Sequence, residues 1–254
     1  MSKLNCITFT IVTLFAMVLS TDLYADLGLS FQAMGGYAID RGETEDAIRK
    51  SAQKGSEDLI QQVAGSPVEK HDHFNSMQLV DLSVFVEYSL WYRFFIRTGV
   101  EYMVSIDDVK SEADVSGAEY YAINHSYEYI AVPFILGISI PINRGMHNIY
   151  MGTGACYNIV MIGREGEGYM SALDYSDENE FDVAGIGAVA LVGINTKIFR
   201  NVSVAIEMIY HEFRRERDVS VEVKDGGGGS FSHKQKYLFA APKTSIRLGV
   251  RYSI

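Results

Sequence analysis

The sequence predicts an all-β fold: an eight-stranded antiparallel transmembrane β-barrel with short periplasmic turns and long extracellular loops. Three observations predict it. The last eleven residues, Thr244 to Ile254 (TSIRLGVRYSI), alternate strictly, with Ile246, Leu248, Val250, Tyr252 and Ile254 on one face and Ser245, Arg247, Gly249, Arg251 and Ser253 on the other. The same period-2 pattern recurs in seven further segments. The connections between those segments are short and long by turns, which is the layout of a barrel with one plain rim and one elaborated rim.

The first predicted strand covers Asp26 to Ile39, with Leu27, Leu29, Phe31 and Ala33 on one face. The second, about Met77 to Leu90, sets Leu82, Val84, Val86 and Tyr88 against Asp81, Ser83, Phe85 and Glu87. The third, about Arg93 to Ser105, sets Phe94, Ile96, Val100 and Tyr102 against Arg97, Gly99 and Glu101. The fourth, about Tyr127 to Ile140, turns Ile130, Val132, Phe134, Leu136 and Ile138 outward, and Pro133, which lacks a ladder donor, predicts a local irregularity there. The fifth, about Asn148 to Ile162, turns Ile149, Met151, Thr153, Ala155, Tyr157 and Ile159 outward and Tyr150, Gly152, Gly154, Cys156 and Asn158 inward.

The sixth, about Phe181 to Thr196, is small and apolar on both faces, so its register is weakly specified. The seventh, about Val202 to Phe213, sets Val202, Val204, Ile206, Met208 and Tyr210 against Ser203, Ala205, Glu207 and His211. The eighth is the terminal strand, expected to start near Tyr237. Leu90–Arg93, Pro141–His147 and Lys197–Asn201 are short turns. Residues 40–76, 106–126, 163–180 and 214–236 read as long polar loops. A spanning strand needs only about 9–11 residues at a ~45° tilt, and every segment is long enough. Because lipid offers no hydrogen bonds, the first and last strands must pair with each other.

The front of the chain predicts export. Lys3 precedes an apolar run, Ile7 to Leu19, and Ala25 ends a plausible cleavage site, so residues 1–25 read as a signal peptide and 26–254 as the barrel. The run is shorter than the roughly 20 apolar residues of a spanning helix. Cleavage removes Lys3 and Asp22, leaving 21 basic and 31 acidic residues from 22 and 32, so the net charge stays at −10. That acidity argues against nucleic acid as a partner. One cysteine, Cys156, remains after cleavage, so no intrachain disulfide is expected.

On this alternation, layout and leader the chain resembles the small bacterial outer-membrane β-barrels, the group that includes OmpX, OmpW, Opa and the OmpA membrane domain. The resemblance implies the bacterial outer membrane as location. It also implies outer-membrane lipid and lipopolysaccharide or an equivalent as surroundings, and barrel-assembly machinery during biogenesis. Some barrels of that group modify lipid A with a His-x-Ser pair. Here the residues two positions after each histidine are His73, Asn75, Tyr127, Ile149, Phe213 and Gln235, so the pair is absent and no enzymatic activity is expected.

Six charged residues fall on predicted inward faces: Glu87, Arg97, Glu101, Glu207, Arg247 and Arg251. A barrel of eight strands is narrow and usually filled by side chains. These residues are therefore expected either to form an ion-paired plug or to act as a gate. His211 and Glu207 share the inward face and suggest a dyad. Gly152 and Gly154 beside Ala190 and Gly193 suggest a sparsely filled sector, or sheet coiling alone.

In the first long loop Thr44 to Val63 predicts a helix interrupted at Gly55, with Ile48, Leu59, Ile60 and Val63 as its apolar residues. The second and third loops are acidic. The fourth is basic (Arg214, Arg215, Arg217, Lys224, Lys234, Lys236) around a Gly226–Gly229 hinge. His71-Asp72-His73 offers two histidines without a third ligand, so no metal or other cofactor is expected. The functional expectation is a surface protein whose loops meet a host or extracellular ligand as adhesin or antigen. The alternative is a narrow OmpW-like channel for small molecules, hydrophobic ones included.

Overall fold

A closed ring of strands forms the lower part of this computed structural model, which describes residues 28–40, 42–63, 70–74, 77–91, 93–114, 120–170 and 173–254. In chain order the elements are β1 (Leu29–Asp40), α1 (Gly42–Val63), β2 (Lys70–Phe74), β3 (Leu79–Trp91), β4 (Phe94–Ser105) and β5 (Val109–Asp114). They continue with β6 (Tyr120–Ile142), β7 (His147–Met170), β8 (Leu173–Lys197), β9 (Val202–Glu212), β10 (Arg214–Asp225), β11 (Ser230–Ala240) and β12 (Thr244–Ser253). The expected signal peptide lies outside the described residues. Among the described residues no helix is long and apolar enough to cross a membrane.

The ring runs β1-β3-β4-β6-β7-β8-β9-β12 and back to β1, antiparallel at every step. Closure is made by β1 on β12, from Ser30↔Ser253 to Asp40↔Thr244, with a bulge between Ala38 and Asp40. No edge is left for lipid to satisfy. Its outer face is apolar: Ile186 is 78 % exposed and Leu248 59 %, with Leu82, Phe134, Leu136 and Ile206 alongside. Its inner face carries the charges, and Arg97 and Arg247 are fully buried. A soluble sheet arranges these faces the other way round. This is a barrel made for hydrocarbon.

Short connections join the strands at one rim: Trp91 to Phe94, the Asn143–Gly145 turn, and Lys197 to Val202. At the opposite rim, segments expected as loops are mostly strand. β6, β7 and β8 are 23, 24 and 25 residues long. β7 and β8 remain paired up to Met170↔Leu173. β5 pairs with the upper end of β6 and β2 pairs with β5. β10 and β11 form a hairpin that joins β8 at Val223↔Asp177. These extensions have the pattern of a water-facing sheet, with Val219, Val221 and Val223 buried and Ser220, Glu222 and Lys224 exposed. Their polar outer faces resemble loop composition, which is why the sequence reads them as loops.

Other expectations are also corrected. The sixth strand begins at Leu173, eight residues before its predicted start. The last strand begins at Thr244, because Tyr237 belongs to β11 and the chain is redirected at Ala241–Lys243, where Pro242 sits. The Gly226–Gly229 segment is a tight turn, not a hinge. Asp225 N donates to Gly229 O at 2.9 Å, and Gly229 N donates to Asp225 Oδ1 at 2.7 Å. At Pro133 the β4–β6 ladder skips from Thr98↔Phe134 to Glu101↔Ala131, as a missing donor requires.

The helix fills the slot between β11 on one side and β5 and β6 on the other. Its buried stripe, Ala47, Ile48, Ser51, Ala52, Gly55, Ser56, Leu59 and Ile60, has the helical period. Gly55 does not interrupt α1. It lets the helix approach β11, where a Cβ would sit 2.6 Å from Gln235 Nε2.

Candidate functional site: two buried charge clusters in the lumen

The six charged residues predicted on inward faces converge inside the ring, because strand register sets them at similar heights. Glu87 faces Arg97 across β3–β4, and Arg247 faces Glu207 across β12–β9. Arg97 donates to Glu87 Oε2 from Nε at 3.1 Å and from Nη2 at 2.8 Å, and from Nη1 to Glu207 Oε2. Arg247 donates from Nε to Asp81 Oδ2 at 2.6 Å and from Nη1 to Glu101 Oε1 at 3.1 Å. Its Nη1 also lies 3.8 Å from Glu207 Oε1. Arg251 Nη2 reaches Glu87 Oε1 at 2.6 Å. Glu207 thus links the two arginine centres.

Aromatic rings enclose this network. The Arg97 guanidinium lies 5.0 Å from the Tyr150 ring centroid and 5.5 Å from those of Phe85 and Phe95. The sector around Gly152 and Gly193 is accordingly filled: a Cβ on Gly193 would lie 2.5 Å from Tyr150 Oη. Asp81 is an acid that the charge pattern missed, although its inward parity was legible. His211 is aimed differently from the expected dyad. Its Nε2 lies 2.9 Å from Glu101 Oε2, off-axis for a hydrogen bond, and its Nδ1 is 3.2 Å from Tyr129 Oη. Tyr129 then donates to Asn158 Oδ1 at 2.6 Å. Four carboxylates, three guanidiniums and a histidine thus meet inside the ring.

A second cluster sits above the apolar belt. Arg164 makes four hydrogen bonds: to Asp177 from Nε at 2.9 Å and Nη2 at 3.0 Å, to Gln235 Oε1 at 2.8 Å, and to Tyr237 Oη at 3.2 Å. Tyr121 also donates to Asp177, and Gln235 donates to the Ser51 carbonyl of α1. This cluster therefore docks the helix. The Tyr237 hydroxyl also shares a hydrogen bond with His125 Nε2 at 2.9 Å. Burial first, then the Arg164 charge, pushes the His125 imidazole down to about 3. Burial and Arg164 likewise lower His233, against a smaller opposing pull from Asp177. None of Arg164, Asp177, Gln235 and Tyr237 stood out in sequence, because their segments read as loop or, for Tyr237, as the start of the last strand.

Among the described residues no group of acids, histidines and cysteines is arranged to hold a metal. His71 to His73 lie on β2, and their side chains fall outside the described residues.

An apolar belt around a closed ring, with its charges inside, defines a β-barrel protein of the bacterial outer membrane. Over residues 57–173 the chain is similar to a family described as the Leptospira porin protein OmpL1. Two solved structures also align with it. The Neisserial surface protein A is 10 % identical, with 89 % of this chain and 97 % of that one covered and a TM-score of 0.35. A major outer membrane protein from Thermus thermophilus is 12 % identical, with 89 % and 99 % covered and a TM-score of 0.42. No curated protein matches the chain.

Proposed function

We propose that the protein is a non-enzymatic surface barrel whose extended rim meets an extracellular ligand while the ring anchors it and adds to the membrane's structure. The observation that carries this reading is the length of β6, β7 and β8, 23 to 25 residues each. Crossing hydrocarbon takes about 9–11 residues, so more than half of each strand stands outside it. The ion-paired network supports the same reading, since Arg97 and Arg247 are fully buried among their carboxylate partners. In this reading residues 1–25 are a signal peptide for export, the extended rim faces outward, and both chain termini lie on the short-turn, periplasmic side. Proteinase treatment of intact cells is expected to cut at the basic residues of 214–236 and to spare the short turns. Cleavage only after cell lysis would sink the proposed orientation.

A gated pore is the second reading, favoured by the similarity to a porin family over residues 57–173. Planar-bilayer recording separates the two. The wild type is expected to show no stepwise current, and Arg247→Ala is expected to remain closed because the aromatic residues around it persist. Steps in the wild type that Arg247→Ala enlarges would establish the gate.

A further inference from the structure

At the short-turn rim the barrel opens into a blind vestibule of about 330 Å³, floored by Glu87 and Phe95 beneath the ring. Its charge is opposite to that of the chain, which carries −10 overall. Arg93 from the first short turn, Lys197 and Arg200 around the third, and Arg251 from β12 all line it, against the single carboxylate of Glu87. That carboxylate is already committed, holding Arg97 through one oxygen and Arg251 through the other. Arg93, Lys197 and Arg200, from the first and third short connections and the strand end beside them, thus have no acid partner among the described residues that line the cavity. Side chains of Ser139, Asn148 and Asn195 add neutral hydrogen-bonding groups to the wall.

We propose that this vestibule binds a phosphate-bearing anion. Guanidinium groups present planar pairs of N–H donors that match phosphate oxygens, and a phosphate monoester carries about −1.5 to −2 charge, enough to answer several cations at once. The cavity lies within the range of small-molecule pockets, roughly 300–1,000 Å³. It is lined by inward-facing strand residues such as Glu87, Phe95 and Arg251 together with residues of the short turns, so a soluble anion enters from the short-turn rim. A lipid could offer only its headgroup, from the rim. Occupancy places negative charge beside Arg251, the one ring arginine that is partly exposed, at 13 %. The ligand therefore competes with Glu87 for that guanidinium while leaving the Arg97 and Arg247 contacts in place.

The test uses the full chain refolded in zwitterionic micelles, with inorganic pyrophosphate titrated by calorimetry at fixed ionic strength. Saturable binding is expected, weakened at least tenfold in Lys197→Gln/Arg200→Gln, whose changes lie at the exposed end of β8 and in the turn after it. Lys224→Gln/Lys234→Gln, the same charge loss at the opposite rim, is expected to bind as the wild type does. Equal weakening in both pairs, absence of saturable binding with both pyrophosphate and vesicles, or tighter binding of the dicarboxylate malonate would overturn the proposal. A parallel arm with phosphatidylglycerol vesicles assigns the source. Loss confined to the vestibule pair with free pyrophosphate supports a soluble ligand, and the same confined loss only with vesicles supports a lipid headgroup.

Discussion

Arg247 and Arg164 satisfy buried carboxylates by the same chemistry, yet they sit in opposite surroundings. Around Arg247 the sheet is inside out, with charges in the lumen and Ile246 and Leu248 facing lipid. Around Arg164 the sheet is built like a soluble protein. Ile123 and Val221 are buried there, and Glu165 and Glu222 face water. The reversal occurs along single strands: β6 buries Tyr121 and Ile123 above and exposes Phe134 and Leu136 below. One continuous backbone ladder therefore passes from hydrocarbon to water, and only the outer face has to change chemistry. The difference teaches that a single strand period serves both solvents, and that the polarity of the outer residues marks the boundary.

The comparison is broken most severely from the lower side. Deleting Ile246–Ile254 removes most of β12, the shared partner of β1 and β9, so no closed species should form. Heat-modifiable electrophoretic migration after refolding reads this directly, and a heat-modifiable band from the truncated chain would refute it. Next in size is the contrast between the two arginines. Arg247→Ala leaves Asp81 and Glu101 without their guanidinium in a site that excludes water, and is expected to lower unfolding stability in lipid by ~3–5 kcal/mol. Arg164→Ala is expected to lower it by about 1–3 kcal/mol, the cost of unsatisfied buried groups. Its larger effect is proteolysis within Gly42–Val63, because Gln235 loses the partner that orients it toward Ser51. Equal protease sensitivity in the two variants would erase the distinction.

The smallest expected effect is a pH dependence confined to the upper cluster. His125 lies level with outward-facing Ser126 and Glu128, above the apolar belt. Below the ordinary imidazole value of about 6.5, the unfolded segment takes up a proton that folded His125 refuses until about 3. Upper-cluster stability therefore falls as pH drops from 6.5 toward 3. Hydrogen exchange of α1 amides is expected to quicken across that window, and less so in His125→Asn. An unchanged slope in the variant would assign the effect to carboxylates.

Alternation along each strand, together with the requirement that a membrane sheet close, was enough to determine the ring. It set which faces of β3, β4, β7, β9 and β12 turn inward, and so which charges could meet. Glu87, Arg97, Glu101, Glu207, Arg247 and Arg251 were legible for that reason: in a barrel, inward parity and height almost define position. Only the tertiary structure decided the partners. Asp81 rather than Glu207 receives the shortest bond of Arg247, and His211 turns to Glu101. Only the tertiary structure, too, revealed the upper cluster. Arg164, Asp177 and Gln235 come from segments far apart in sequence, and they meet because β10 and β11 fold back and α1 closes the slot between β11 and β5. Local period reports the face of a side chain. What that face meets depends on how distant strands return, and outside the bilayer nothing forces that return to be a closed ring.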